Sequence, residues 1–456
     1  VIQFPTVRDK GRYSWRPLFF LLLFVCAAAR ARTTRVTLLH FSDYHSHALP
    51  FYSEGKEGEG GIARAIGYLR AEKGRGALIF SGGDMVNKGS PAWSDKYRCA
   101  EWPWFNGSID AMALGNHDPD YGALAMQKCI EAIRYPVLSA NTNGFTPSRV
   151  FVVNGIRVGV FAIAGSDFKT LVKEPALHFG DPLTAARDAV RDLRDKQHAD
   201  VIVMIGHEQL DDDFALARAV PGIDLIFGTH SHLKRDLTRI DGTSTWFISP
   251  FQYLTYISRV VLTFDDHKLT GVKGRLVPVD ARMPIDKTIA HRVANMQRAL
   301  EHDPEYEPLF ATIGTLPSPL SVDALAKRTV EIMRDAGHAD IALSTASSFR
   351  QALPRGAVTL EALRAAMPYD NDILVYSLRG DVVEKLLAYG KSRQGSDSFA
   401  IVAAPARIDP TRTYRVATTD FVARTAAGYR QFFEGLTAEV TGLRVRDVVK
   451  KSISTR

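Results

Sequence analysis

Cysteine is scarce, with three residues in a chain of 456. Cys26, Cys99 and Cys129 stand far apart, and none lies in a cluster with metal-ligand spacing. A zinc-thiolate site is therefore excluded as an organising feature. Long hydrophobic runs are equally rare. After residue 31 no segment approaches the roughly 18 consecutive apolar residues that a membrane helix needs. Concentrated basic charge is missing too. The formal charge is +7, but five basic residues against one acid in the first 31 positions hold +4 of it. The remaining +3 is spread without a stripe, which removes the electrostatic footprint of nucleic-acid binding. Internal repeats and low-complexity tracts are absent.

The first 31 residues read as a secretory signal. Lys10, Arg12 and Arg16 supply the charged region, residues 18–29 an apolar stretch, and Ala29-Arg30-Ala31 a small-x-small cleavage site. An uncleaved anchor is the alternative. On the first reading the mature protein begins near Arg32, is soluble and is periplasmic or secreted, with no membrane attachment after cleavage. Cys26 then leaves with the signal. Cys99 and Cys129 either pair in an oxidising compartment or remain two buried thiols.

The length favours two domains, and an apolar fraction of 46% gives each enough material for a core. Residues 32–285 alternate strand and helix signals. Ile62, Ala65, Ile66 and Leu69 fall at helical spacing, and Asn154-Gly155 is a hairpin turn between two β-rich runs. The Gly-rich stretch at 53–61 lacks the Lys-Ser/Thr ending of a P-loop, so it is expected to turn the chain rather than cradle phosphate. The β-rich runs at 246–249 and 257–264 suggest a second sheet packed on the first. Residues 286–312 are helix-compatible and broken by Pro304 and Pro308, as in a helical linker. Residues 313–456 alternate helix and strand again.

Five polar clusters interrupt the first domain. They are Asp43-Tyr44-His45, Gly83-Asp84, Gly115-Asn116-His117-Asp118, Gly206-His207 and Gly228-Thr229-His230-Ser231-His232. Each ends an apolar run, at 36–39, 77–80, 111–114, 201–205 and 223–227, that reads as a buried strand. Ligands of α/β folds collect beyond the carboxyl ends of strands. Five such ends carrying Asp, Asn and His point to one convergent site with metal as its occupant. Asp43 and His45, like His230 and His232, are two apart, so on an extended chain both side chains of a pair face one way. Imidazole with carboxylate suits Zn, Mn, Fe or Co better than the all-oxygen shells of Ca or Mg. A carboxylate can bridge two ions, and two ions suit phosphate-ester hydrolysis.

The order Asp-x-His, Gly-Asp, Gly-Asn-His-Asp, Gly-His, Gly-x-His-Ser-His resembles the calcineurin-like metallophosphoesterases. The stretches at 38–47, 60–64, 81–84 and 115–122 narrow the resemblance to the 5'-nucleotidase family, over roughly residues 35–435. That family includes UDP-sugar hydrolases and 2',3'-cyclic-nucleotide phosphodiesterases. The resemblance implies a four-layer α/β/β/α sandwich followed by a smaller α/β substrate-binding domain. It implies two divalent ions: Asp43, His45 and His232 around one, Asn116, His207 and His230 around the other, with Asp84 between them. It makes His117 a phosphoryl-facing group and Asp120 its acidic partner, and the implied reaction is attack of metal-activated water on phosphorus. Between those two residues the family carries Glu and an aromatic, whereas this chain has Asp118 and Pro119, and a proline there could tilt the pair. His47 reads as pocket wall.

In the second domain the same resemblance implies base stacking on Tyr369 and Phe421 and substrate binding by Arg350. Two departures stand beside it. The family's Asn-Gly-Gly-Gly-Ile-Arg loop appears here as Thr345-Ala346-Ser347-Ser348-Phe349-Arg350, and the acid expected on the ribose hydroxyls is replaced by Ala427. The expected substrate is a nucleotide or related small phosphate ester, with a non-nucleotide substrate, as in the sulfur-oxidation hydrolases, as an alternative. A ligand-binding protein with structural metals is the competing class. Structural metal sites, however, favour closed Cys-rich shells. The sequence carries no statement of oligomeric state.

Overall fold

The apolar runs become strands buried on both faces. The computed structural model describes residues 33–53, 55–396, 398–426 and 428–454; the expected signal segment and Ala427 lie outside these. β1 (Thr33–Phe41) leads into a short hairpin of β2 (Phe51–Ser53) and β3 (Lys56–Glu59), then β4 (Leu78–Ser81), β5 (Ala111–Ala113) and β6 (Val137–Leu138). β7 (Ser148–Val153) and β8 (Ile156–Phe161) follow, then β9 (Val201–Met204), β10 (Leu225–Phe227), β11 (Lys234–Arg239), β12 (Trp246–Pro250), β13 (Tyr256–Asp265) and β14 (Lys268–Pro278). One sheet runs β14-β13-β1-β4-β5-β6 and the other β11-β12-β10-β9-β8-β7.

Strand alternation builds the layers. Val36 and Leu38 of β1 meet Val201, Val203 and Phe227 in the core between the sheets. Leu39 and Phe41 point the other way, onto the helix Ile62–Lys73. Ile202 and Met204 face outward beneath the helices Pro182–Arg191 and Leu210–Ala219. Helix, sheet, sheet and helix are thus stacked in the expected four layers. One strand sits elsewhere than its sequence suggested. The run at 257–264 does not join the second sheet: β13 pairs antiparallel with β1 from Thr33↔Asp265 to His40↔Ser258. Of the two runs, only the one at 246–249, now β12, joins the second sheet.

Local chemistry closes the turns. Asn154 and Gly155 both take positive φ, 54° and 85°, as a two-residue turn between β7 and β8 requires. The Gly-rich stretch forms the β2–β3 hairpin and delivers the chain to the helix at Ile62. Cys99 and Cys129 form a disulfide with Cα atoms 5.8 Å apart, so of the two readings of these cysteines the paired one holds.

Residues 286–312 contain the helices Lys287–Glu301 and Glu307–Phe310. Asp286 caps the first through Ile289 N at 3.0 Å, and Ile289, Val293 and Leu300 pack into the same core as Ile62 and Ile66. Beyond it come β15 (Thr312–Leu316), β16 (Ile341–Thr345), β17 (Gly356–Thr359), β18 (Asp372–Arg379), β19 (Ala400–Ala403), β20 (Thr413–Thr419) and β21 (Glu439–Arg444). Five of them form a sheet in the order β19-β16-β20-β18-β21, with an apolar core on each face. Among the described residues no helix is long and apolar enough to cross a membrane.

Candidate metal centre and substrate pocket

The five polar clusters occupy the loops beyond β1, β4, β5, β9 and β10, where the two sheets face each other. The backbone there is not extended. Asp43, His45, Asp84, His230 and His232 have φ of 52°, 47°, 52°, 51° and 49°. The same-side geometry of Asp43 and His45 therefore comes from left-handed turns after β1 has ended, and not from strand alternation as the spacing suggested. Non-glycine residues in this region cost on the order of 1–3 kcal/mol each. Interlocking hydrogen bonds hold them: Asp43 N to Gly83 O at 3.1 Å, His45 N to Asp84 O at 2.9 Å and Tyr253 N to Asp43 O at 2.8 Å. Gly115 is required by close approach, since a Cβ there would lie 2.2 Å from Asp84 N and Oδ1.

Two donor groups result. Asp43, His45, Asp84 and His232 bring one ligand atom each to within 4.8 Å of one another, and Asp84, His207 and His230 do the same. Asp84 belongs to both. The donors face each other with their lone pairs. His45 Nδ1 lies 3.1 Å from Val86 O and His207 Nδ1 lies 2.7 Å from Gly82 O. A carbonyl only accepts, so Nδ1 carries hydrogen in each ring and a neutral ring presents Nε2 bare. Yet His45 Nε2 is 3.2 Å from His232 Nε2, and His207 Nε2 is 3.2 Å from Asp84 Oδ2. Both oxygens of Asp43, Oδ2 of Asp84, Oδ1 of Asn116 and Nε2 of His207 are buried without a hydrogen-bond partner. Unsatisfied electron-pair donors at such range repel unless a cation lies among them. The set fits divalent metal.

The electrostatics agree. Burial pulls His45 down to about 3 against the pull of Asp84, so it stays neutral and available. Burial also opposes charge on His207, but Asp84 outweighs it and raises the ring to about 9. Metal binding at His207 would displace a proton held there. Asp84 is itself held far below the usual carboxylate range, because the histidines around it overcome its burial.

His117 stands outside both groups. Its N donates to Asp84 Oδ1 at 2.8 Å, and its Nδ1 lies 2.8 Å from Asp120 Oδ2. Pro119 does not separate the pair. Burial disfavours charge on this ring, yet Asp120 and then Asp84 lift its pKa well above the usual value. His47 is buried, stacked on Tyr253 at 3.5 Å between ring centroids, with Nδ1 3.0 Å from His45 O.

Two residues carry contacts that the sequence reading did not assign: Asp118 was named in its cluster without a role, and Asp167 was not named. Asp118 accepts from Gly115 N at 2.7 Å, Asp84 N at 3.2 Å and Met85 N at 2.8 Å, tying the β4 and β5 loops together. Burial and the charge of Asp84 raise its pKa to about 7. Asp167, beyond β8, lies 3.0 Å from His230 Nε2. The end of the β8 run was a usable signal for it, but no histidine accompanies the aspartate there.

A cavity of about 530 Å³ opens on this centre. Asp84, Asn116, His117, Asp120, His230 and His232 form one wall; Arg350, Tyr369 and Phe421 form the other. Arg350 Nη2 lies 3.4 Å from Tyr369 Oη. The loop before Arg350 replaces glycine with a short 3-10 turn, Ala346–Ser348, closed by Thr345 Oγ1 to Ser347 Oγ at 2.8 Å. Contacts between the walls fix their spacing. Ala92 N donates to Glu361 Oε1 at 2.6 Å, Arg393 pairs with Asp211 at 2.9 Å, and Gln252 Nε2 donates to Arg350 O at 3.2 Å.

Residues 36–234 match the calcineurin-like phosphoesterase family, and residues 318–404 match the 5'-nucleotidase C-terminal domain. The chain is 24% identical over 490 residues to Protein UshA of Yersinia enterocolitica, covering 87% of each. Its fold is similar to that of a 5'-nucleotidase precursor from Thermus thermophilus, with TM-score 0.72 and 22% identity over 92% of this chain and 96% of that one. It is also similar to sulfate thiohydrolase SoxB of that organism, with TM-score 0.71 and 20% identity over 92% and 94%.

Proposed function

We propose that this phosphate-ester hydrolase, which joins a calcineurin-like phosphoesterase domain to a 5'-nucleotidase C-terminal domain, cleaves nucleotides outside the cytoplasm with two divalent ions. The observation that carries the reading is the single cavity in which the unsatisfied Asp, Asn and His donors face Arg350, Tyr369 and Phe421. The division of labour follows the domains: residues 32–285 hold the metals, residues 286–312 connect, and residues 313–456 hold the substrate.

In this reading Asp43, His45 and His232 would hold one ion and Asn116, His207 and His230 the other, with Asp84 available to both. Two ions there would supply positive charge at the phosphoryl oxygens and lower the pKa of water to neutral range. The chain does the rest. Protonated His117 faces the phosphoryl group from outside the ligand set and stabilises charge on its oxygens or on the departing oxygen. Asp120 orients that ring through Nδ1 and keeps the proton on it. Tyr369 and Phe421 hold the base on their flat faces, and Arg350 places a fixed positive charge beside Tyr369.

A second reading, a phosphate ester without a nucleoside, is favoured by the hydroxyl-rich 345–348 turn and by Ala427 where the related enzymes carry an acid. A panel of nucleoside mono-, di- and triphosphates, cyclic nucleotides, UDP-sugars and simple esters, supplied with manganese, separates the two. Nucleotide turnover with similar rates for ribo and deoxyribo forms is expected. A ribose preference above about 100-fold, or about 2.7 kcal/mol, contradicts the assigned loss of hydroxyl recognition. Purified protein that retains less than one metal and turns over no ester sinks the whole reading.

A further inference from the structure

His230 has a neighbour that belongs to neither donor group. Its Nε2 lies 3.0 Å from Asp167 Oδ2, and the same oxygen accepts from Gln209 Nε2 at 3.2 Å. Gln209 turns its Oε1 to Ser231 Oγ at 2.9 Å, and Leu210 N donates to that hydroxyl at 2.8 Å. One chain of hydrogen bonds therefore clamps two consecutive residues of the β10 loop, His230 directly and Ser231 through Gln209. It arises from three separate loops, beyond β8, β9 and β10.

A carboxylate accepts and does not donate, so the nitrogen facing Asp167 is the protonated one. That leaves Nδ1 as the electron pair of His230. Asp84, His207 and His230 bring ligand atoms within 4.8 Å of each other, and Asp167 stands outside that trio. His207 uses the opposite arrangement, with Nδ1 on the carbonyl of Gly82 and Nε2 turned to Asp84.

We propose that Asp167 is a positioning residue of the metal centre: it fixes His230 as the Nε2–H tautomer and aims Nδ1 at the ion shared with Asp84 and His207, while Gln209 holds the carboxylate in place. The proposal rests on reading those three residues as ligands. A carboxylate behind an imidazole also makes it a more basic donor, and losing such a partner costs about 10–100-fold in metal affinity. Asp167 carries this cost for one ion only, because His45 and His232 of the other group have no contact with it.

The test uses the full chain and its metal affinities, read by chelator competition with cobalt, beside histidine nitrogen NMR of the zinc-loaded protein. Asp167→Ala is expected to weaken one ion about 10–100-fold and leave the other unchanged. Asp167→Asn, whose amide oxygen still accepts, should fall between, and Gln209→Ala should weaken the same ion less. The NMR of the unaltered protein should show His230 protonated at Nε2, and this measurement decides even if the Ala variant fails to fold. His230 protonated at Nδ1, unchanged affinities in a folded Asp167→Ala protein, or loss of an oxygen ligand from the cobalt shell in that variant would each overturn the assignment. An unaltered protein that binds no ion defeats the ligand reading beneath it, which is a different result from two bound ions indifferent to residue 167.

Discussion

The two walls of the cavity are built by different rules. In and behind the first-domain wall, Asp43, His45, Asp84 and His207 are buried and held by backbone hydrogen bonds, and Asp43, Asp84 and His207 leave donor atoms unsatisfied. On the second-domain wall, Arg350, Tyr369 and Phe421 are half-buried, and the loop beside them satisfies its hydroxyls internally. The first wall is costly to build, with left-handed residues and bare donors, and a bound cation would offset that cost. None of Arg350, Tyr369 and Phe421 has a positive φ or a buried polar atom left unsatisfied. On the proposed reading, the first wall carries the chemistry and the second the recognition of substrate.

Substitutions can break that contrast. Asp84→Ala removes a donor from both groups and the acceptor of His117 N, so both ions and all turnover should be lost, as metal analysis beside an ester assay would report. Full metal content in that variant would mean that the two groups are independent. His117→Ala should lower kcat by about 10²–10⁴-fold while metal content stays intact, which separates it from the ligands.

Asp120→Asn tests the pH dependence. His117 has its pKa raised well above the usual value, with Asp120 the largest contribution opposing burial. A charge held by a raised pKa is present below that pKa and is lost as pH rises through it. The variant should shift the alkaline loss of activity to lower pH, and a profile that does not move removes Asp120 from this role. On the second wall the effects should be graded. Tyr369→Ala and Phe421→Ala should each cost about 1–3 kcal/mol in kcat/KM for nucleotides and spare a small aliphatic phosphate ester. Equal losses on both substrates would make these rings structural.

The first wall was legible because its signal is local. A short polar interruption at the end of an apolar run, with glycine at Gly83, Gly115 and Gly206, is visible in any window that contains it. β14 and β21 were not legible in this way. Their sequences mix Gly, Lys, Arg and Glu, and each is an edge strand with one neighbour, so no continuous apolar run marks it. Asp167 was missed for another reason: its partner lies 63 residues away on a different loop. β13 was misplaced because its alternation fits either sheet, and only pairing with β1 decides which.

The sequence by itself determined the inventory: which donors exist, which strand ends carry them, and that aromatics and an arginine await in a second domain. Apolar periodicity and turn chemistry act over a few residues and can be read along the chain. Only the tertiary structure decided that Asp84 belongs to both donor groups, that Cys99 meets Cys129, and which ring nitrogens of His45, His207 and His230 face a carbonyl or a carboxylate. The shared donor set depends on two sheets packing face to face, which brings residues 43 and 232 within a metal's reach and sets a carbonyl behind His45 and His207 and a carboxylate behind His230.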